Sequence, residues 1–178
     1  IDIPDKRTVH RVDGFVKSKE WVIFPRLSYQ KHIALEELTE RLKEVNSESK
    51  YNRITRTGSK KAVISSGAAY PVVAEIISKY NADVTLIKLG CSVPMPEKFL
   101  VGALKDVSEV LVAEELDPVI EDGLYQLKAK SGLDCVIRGK RTGDLPHAGE
   151  YSFERITSGI CAFCGIEPEI MPEPVKMP

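Results

Sequence analysis

The chain has 178 residues, 43% of them hydrophobic, and its 25 basic and 26 acidic side chains leave a formal charge of −1. That length and apolar fraction predict one globular domain with a sizeable core and room for an extended arm, and they exclude disorder as the default. So neutral a balance gives no reason to expect nucleic acid or an anionic membrane as partner, and no apolar run approaches the roughly 20 residues of a bilayer span.

The lack of a signal-peptide pattern predicts a cytoplasmic protein. With no initiating Met and a proline-rich end, the chain reads as a piece of something larger. Residues 1–24 show no helical period and read as an extended arm. Its Trp21, Val22, Ile23 and Phe24 call for a covering surface, on this domain or on a neighbouring one. From Ser28 to Glu48 the residues Leu35, Leu38, Leu42 and Val45 recur at steps of three, four and three, which predicts a helix with one apolar stripe. Glu37 and Arg41, on its wet face, are spaced for an ion pair. The polar stretch 46–59 is turn-prone and reads as a linker.

The stretch that organises the rest is Lys61-Ala62-Val63-Ile64, stopped by Ser65, Ser66 and Gly67. A strand buried on both faces is continuously apolar rather than alternating, and Pro71 suits the first turn of a following helix, where a missing N–H costs nothing. Val72, Val73, Ile76, Ile77 and Tyr80 mark the inner face of that helix, which Asn81 can close. The unit then repeats. A strand over 83–90 leads to a helix opened by Pro94-Met95-Pro96-Glu97, with Phe99, Leu100, Ala103, Leu104 and Val107 apolar. Val110 to Ala113 is the third strand; Asp117 caps and Pro118 starts a helix with Ile120, Leu124 and Leu127 inside, stopped by Gly132. Residues 134–138 are the fourth strand. Strands alternating with helices predict a parallel sheet with right-handed crossovers, a three-layer α/β/α sandwich. The expected organisation is an arm, helix and linker over 1–60, the α/β domain over 61–150, and a tail and linker over 151–178.

Ligands of such sheets collect at the carboxyl ends of the strands. Ser65, Ser66, Gly67 and Lys88 fall there, with Glu114, Glu115, Arg138 and Lys140. One reading is an anion site in which Ser65-Ser66-Gly67 offers backbone N–H groups and Lys88 a charge. The other is that these charges pair with one another or with an adjoining domain. Neither a Gly-x-Gly-x-x-Gly nor a Gly-x-x-x-x-Gly-Lys run is present. Cys161 and Cys164 have ligand-like spacing, but a tetrahedral zinc or iron-sulfur site generally needs four ligands and no second such pair follows. They read as half of a site completed elsewhere, a redox pair, or ordinary reduced thiols, the last favoured because cytosolic disulfides are rare. His10, His32 and His147 stand apart from one another, and the adjacent Glu114 and Glu115 point to opposite faces of a strand. No self-sufficient catalytic constellation emerges.

Taken in order, Val63-Ile64-Ser65-Ser66-Gly67-Ala68-Ala69-Tyr70, Leu86-Ile87-Lys88-Leu89-Gly90-Cys91-Ser92-Val93-Pro94-Met95-Pro96, Val110-Leu111-Val112-Ala113-Glu114-Glu115-Leu116-Asp117-Pro118, Gly139-Lys140 and Leu145-Pro146-His147-Ala148-Gly149-Glu150 resemble the alpha subunit of indolepyruvate ferredoxin oxidoreductase. The resemblance runs over residues 11–156 and includes Trp21-Val22-Ile23-Phe24-Pro25-Arg26. It implies the central, transketolase C-terminal-like domain of an enzyme that oxidatively decarboxylates aryl pyruvates to acyl-coenzyme A. It further implies thiamine diphosphate and magnesium held by sister domains, iron-sulfur clusters in a ferredoxin-like segment, a beta subunit, and ferredoxin as electron acceptor. Their Gly-Asp-Gly and clustered Cys motifs are absent here, so no cofactor residue carries over. The implied role is to pack against sister domains, with the charged strand edge, the Trp21 arm and the Pro94–Pro96 turn as contact surfaces. A stand-alone binder of coenzyme A or another phosphorylated ligand, and an assembly module of another thiamine enzyme, are the rival readings.

Overall fold

The structure is a computed structural model, and it describes Gly14 and residues 16–169, without the side chain of Trp21. The expectations for the arm before Gly14, for His10, for the Trp21 side chain and for the end of the tail lie outside the described residues. The chain divides into two compact units, with the boundary between Glu37 and Leu38.

In the first unit a short 3-10 turn over Lys19–Trp21 is capped by Ser18, whose hydroxyl accepts the Glu20 N–H at 3.1 Å. Val22, Ile23 and Phe24 are exposed. Helix α1 (Pro25–Ser47) begins here and crosses the boundary. Pro25 occupies a first-turn position, where the ring costs no hydrogen bond. The apolar stripe exists, but Leu35, Leu38, Leu42 and Val45 are all exposed and Asn46 is the buried residue of the helix. The expected Glu37–Arg41 pair does not form among the described residues; His32 with Glu36 and Lys43 with Glu40 do so instead.

The second unit holds a five-stranded sheet in the order β1-β3-β2-β4-β5, from β1 (Arg53–Thr55), β2 (Lys61–Ser66), β3 (Thr85–Leu89), β4 (Glu109–Ala113) and β5 (Val136–Arg138). All neighbours are parallel except β1, which runs antiparallel to β3. Helices α2 (Ala69–Lys79), α3 (Glu97–Leu104), α4 (Val119–Ser131) and α5 (Phe153–Cys164) complete it. Because successive strand residues point to opposite faces, β2 feeds two cores. Val63 joins Val73, Ile76, Leu111, Ile156 and Ile160 under α2 and α5, whereas Ala62 and Ile64 join Ile87, Leu100, Leu104, Val112 and Leu124 under α3 and α4. The α/β/α sandwich with a mostly parallel sheet is therefore borne out. Ala62, Val63 and Ile64 are each fully buried. At about 1.5–3 kcal/mol per large aliphatic side chain, this strand anchors both layers.

The helix ends follow local chemistry. Asn81 takes φ 48, so that its N–H reaches Ser78 O and that of Ala82 reaches Ile77 O at 3.0 Å, closing α2. Gly132, at φ 70, ends α4 as expected.

Two elements depart from the sequence expectation. The linker contains β1, whose three residues are too few to show an alternation. The expected tail contains α5, capped by Ser152 and closed by Gly165. Phe153, Ile156, Ile160 and Phe163 keep helical spacing, but Gly159 in their midst argues against a helix. Its reason is packing: a Cβ there would lie 2.5 Å from Asp144 O and 2.8 Å from Leu145 Cδ2. Among the described residues no helix is long and apolar enough to cross a membrane.

Candidate functional site

β2 connects through α2 to β3 on one side of it, and β3 connects through α3 to β4 on the other. The chain therefore reverses direction between β2 and β4, and the carboxyl edge there is where an open α/β sheet places a ligand crevice. Ser65 is fully buried and its Oγ donates to Ala113 O at 2.7 Å, tying β2 to β4 across this point. Ser66 is half-buried, and Gly67 turns the chain at φ 55 into α2, which has no side-chain cap. Lys88 pairs in register with Ser65, and its Nζ lies 4.8 Å from the centre of the Tyr70 ring, over the first turn of α2. The four candidates thus share one edge, with the Ser65 hydroxyl already engaged.

The loop after β3 is held from below by two buried asparagines. Asn52 accepts from Gly90 N at 2.9 Å and Cys91 N at 3.2 Å and donates to Asn46 O, while Asn46 donates to Pro94 O at 2.7 Å. These bonds leave Val93 70% exposed at the tip.

The acidic and basic residues at the ends of β4 and β5 form a closed network. Glu114 is buried, and its two carboxylate oxygens accept from Ile120 N at 2.8 Å and Glu121 N at 2.9 Å. It therefore caps α4, the role expected of Asp117, whose side chain is exposed. The reversal through Leu116, at φ 57, turns Glu114 back to the helix start. Burial pushes the Glu114 carboxyl above its ordinary range, against the two backbone N–H groups, which work to lower it. Glu121 is fully buried and accepts from Lys140 N at 2.8 Å and Arg141 N at 3.2 Å. Gly139 is required beside it, since a Cβ would come within 2.7 Å of the Glu121 carboxylate.

Lys140 is 1% exposed. Its ammonium donates to Pro146 O at 2.9 Å and lies 4.7 Å from the centre of the Tyr151 ring. Burial lowers its pKa, while Glu114 and Glu121 work to raise it. The Tyr151 hydroxyl donates to the same Pro146 O at 3.1 Å, and its backbone N–H donates to Glu115 at 2.7 Å. Burial first, then the surrounding carboxylates, raise the Tyr151 phenol. Glu114 and Glu115 do diverge, one toward α4 and one toward Tyr151. Arg138 pairs with Asp144 at 2.5 Å, and although burial works to raise Asp144, the bonds from Arg138 and Thr142 hold its carboxyl below the usual range. The network thus orders the loop 139–151 across the edge, with Glu114, Glu121 and Lys140 turned inward and Arg138 left partly exposed.

Sequence reasoning missed Glu121. Its position three residues before the inward-facing Leu124 was the available signal, because it puts a carboxylate on the core side of α4.

Cys161 and Cys164 lie one turn apart on α5, Cys161 buried in the core under α2 and Cys164 half-buried beside it. Burial pushes both thiols up, Cys164 to about 11. Among the described residues no group of three or more His, Cys, Asp or Glu side chains is placed to hold a metal ion. His32 is exposed on α1, and His147 Nε2 contacts Lys140 O at 2.9 Å.

No family model matches the chain. A solved 2-oxoglutarate:ferredoxin oxidoreductase from Magnetococcus marinus, with 2-oxoglutarate, coenzyme A and succinyl-CoA bound, has the same fold over 79% of this chain and 24% of that one. The TM-score is 0.53 at 14% identity. The α/β sandwich is thus one found within 2-oxoacid:ferredoxin oxidoreductases. Indolepyruvate oxidoreductase subunit IorA of Methanothermobacter marburgensis is 30% identical over 166 residues, covering 91% of this chain and 27% of that subunit. The IorA of Pyrococcus abyssi is 30% identical over 168 residues, 93% and 26% of the two chains. The chain is homologous to IorA, the subunit to which its motifs pointed, and it spans about a quarter of the length of the curated relatives it matches.

Proposed function

We propose that the chain is an assembly domain, transketolase C-terminal-like, of a cytoplasmic thiamine-diphosphate-dependent indolepyruvate:ferredoxin oxidoreductase. The whole enzyme oxidatively decarboxylates aryl pyruvates to acyl-coenzyme A, with a beta subunit as partner and ferredoxin as acceptor. The observation that supports an assembly role is the inward-facing network of Glu114, Glu121, Lys140 and Tyr151. It holds the carboxyl edge rigid while presenting apolar side chains, Val93 and the 64% exposed Leu116, to whatever covers it. Sister domains of the same subunit are the partners that fit.

The described residues do not fit the implied metal cofactors. The Cys161 thiol is buried and that of Cys164 half-buried, burial pushes both away from the thiolate form that binds metal, and among the described residues no three ligand side chains converge for magnesium or a cluster. Thiamine diphosphate, magnesium and the iron-sulfur clusters belong to the rest of the enzyme.

The test is a calorimetric titration of the chain with thiamine diphosphate plus magnesium and, separately, with coenzyme A. The expected result is no saturable heat in either. In the complete enzyme, Val93→Asp with Leu116→Asp should lower the yield of assembled complex and its activity together. Saturable binding of thiamine diphosphate would overturn the assembly reading. Saturable binding of coenzyme A that vanishes in Gly67→Val would replace it with a ligand site at Ser65, Ser66, Gly67 and Lys88.

A further inference from the structure

At the opposite, amino edge of the sheet, the turn before β2, the start of β3 and the loop leaving α3 enclose a cavity of about 280 Å³. Its lining includes Arg56, Lys60, Thr85, Asp106 and Val107. Thr85 is 2% exposed as a residue, and it lines this open cavity with no side-chain hydrogen bond among the described residues. A hydroxyl that opens onto a cavity without a partner in the chain can serve a ligand that enters it.

The charges of the cavity are exposed and have no ion-pair partners among the described residues. Among the described residues neither Arg56 nor Lys60 has a carboxylate within ion-pair distance, and Arg56 makes a single long bond, 3.4 Å, to Gly102 O. Asp106 has no hydrogen bond or ion pair there either. It follows the end of α3, where the terminal carbonyls already favour a cation. The turn is preformed: Ser59 N donates to Thr57 Oγ1 and Lys61 N to Ser59 Oγ. One small cavity thus offers two cations and a hydroxyl, a carboxylate beside a helix carbonyl end, and the apolar Val107.

A simple oxyanion would meet the two cations but face Asp106. A cation would meet Asp106 but face Arg56 and Lys60. We propose that the cavity binds a small zwitterion of the α-amino acid class. Its carboxylate lies toward Arg56, Lys60 and the Thr85 hydroxyl, and its ammonium toward Asp106 and the carbonyl end of α3. This site is independent of the enzyme in which the chain works.

The experiment is calorimetric titration of the chain at low salt with glycine, glutamate, leucine and phenylalanine, and with acetate, methylammonium and inorganic phosphate as probes of each half of the charge pattern. At least one amino acid should saturate, while acetate and methylammonium do not at the same concentrations. Thr85→Val should weaken that binding about fivefold and Asp106→Asn about tenfold or more. Both variants should keep the native circular dichroism, since neither side chain has a partner to lose. The site is refuted if no amino acid saturates up to about 50 mM, far weaker than useful recognition. Phosphate binding without amino acid binding, or amino acid binding indifferent to both substitutions, also refutes it.

Discussion

Each edge of this sheet holds one cluster of charged side chains, and the two clusters are used in opposite ways. At the carboxyl edge Glu114, Glu121 and Lys140 are buried, and each is met by backbone groups. At the amino edge Arg56, Lys60 and Asp106 line one cavity, are exposed, and have no ion-pair partner among the described residues. Charge near a strand end is therefore a poor guide to a binding site until partners are counted. The edge that fold-level reasoning favours is the satisfied one, and the neglected edge is the one with capacity to spare.

Substitutions at the two edges should separate them by the size of their effect on unfolding in urea. Glu121→Ala leaves two backbone N–H groups without acceptors and the buried Lys140 with one neighbouring carboxylate fewer, and should cost about 3–5 kcal/mol. A loss under about 1 kcal/mol would mean that water replaces the carboxylate and that the network is not closed. Gly159→Ala, which presses α5 against the loop 139–151, should cost about 1–3 kcal/mol and loosen the same edge.

Glu114→Gln keeps one acceptor for α4, so the loss should be about 1 kcal/mol and should depend on pH. Because the folded pKa of Glu114 lies above its ordinary 4.5, the stability tied to its protonation is complete below that value and is lost as pH rises through the folded value. The native chain should thus decline relative to the Gln variant as pH rises from 4.5, narrowing the gap between their urea midpoints. A gap constant across that window would show that the carboxyl titrates normally. The smallest effect belongs to the amino edge: Thr85→Val removes a hydroxyl with no partner and should change stability by about 0.5 kcal/mol or less. A larger loss would reveal a bond that makes this edge as closed as the other.

Sequence reasoning reached the sheet because burial on both faces writes an uninterrupted apolar run, as in Ala62-Val63-Ile64, and because Pro71, Pro118 and Gly132 punctuate the helices where backbone chemistry demands. It passed over β1, too short to alternate, and α5, whose Gly159 answers to a contact with Asp144 that is remote in local pattern. Asp117 before Pro118 has the form of a cap, but Glu114 performs the role from three residues earlier because Leu116 reverses the chain, and a left-handed leucine leaves no mark in composition. At the candidate site the positions of Ser65, Ser66, Gly67 and Lys88 on one edge were legible. The engagement of Ser65 with Ala113 and the burial of Lys140 were not, since both depend on strands brought together by crossovers. Cys161 and Cys164 were legible as a pair, but the packing that pushes both thiols up follows from a helix the pattern hid.

Helix α1 is the longest regular element of the chain, and only Asn46 in its last full turn is buried. A helix without a packed face is held by its own hydrogen bonds and propensities, which for isolated segments is marginal. Its amides should therefore exchange with solvent deuterium well before those of β2 and β4, proceeding from the Pro25 end toward the turn that Asn46 and Lys43 fasten to the loop after β3 and to Glu97. On heating, helical ellipticity should fall gradually before the sheet melts as one unit. A covering partner would convert that gradual loss into a single cooperative transition, making the shape of the melting curve a direct report of whether α1 has found its neighbour.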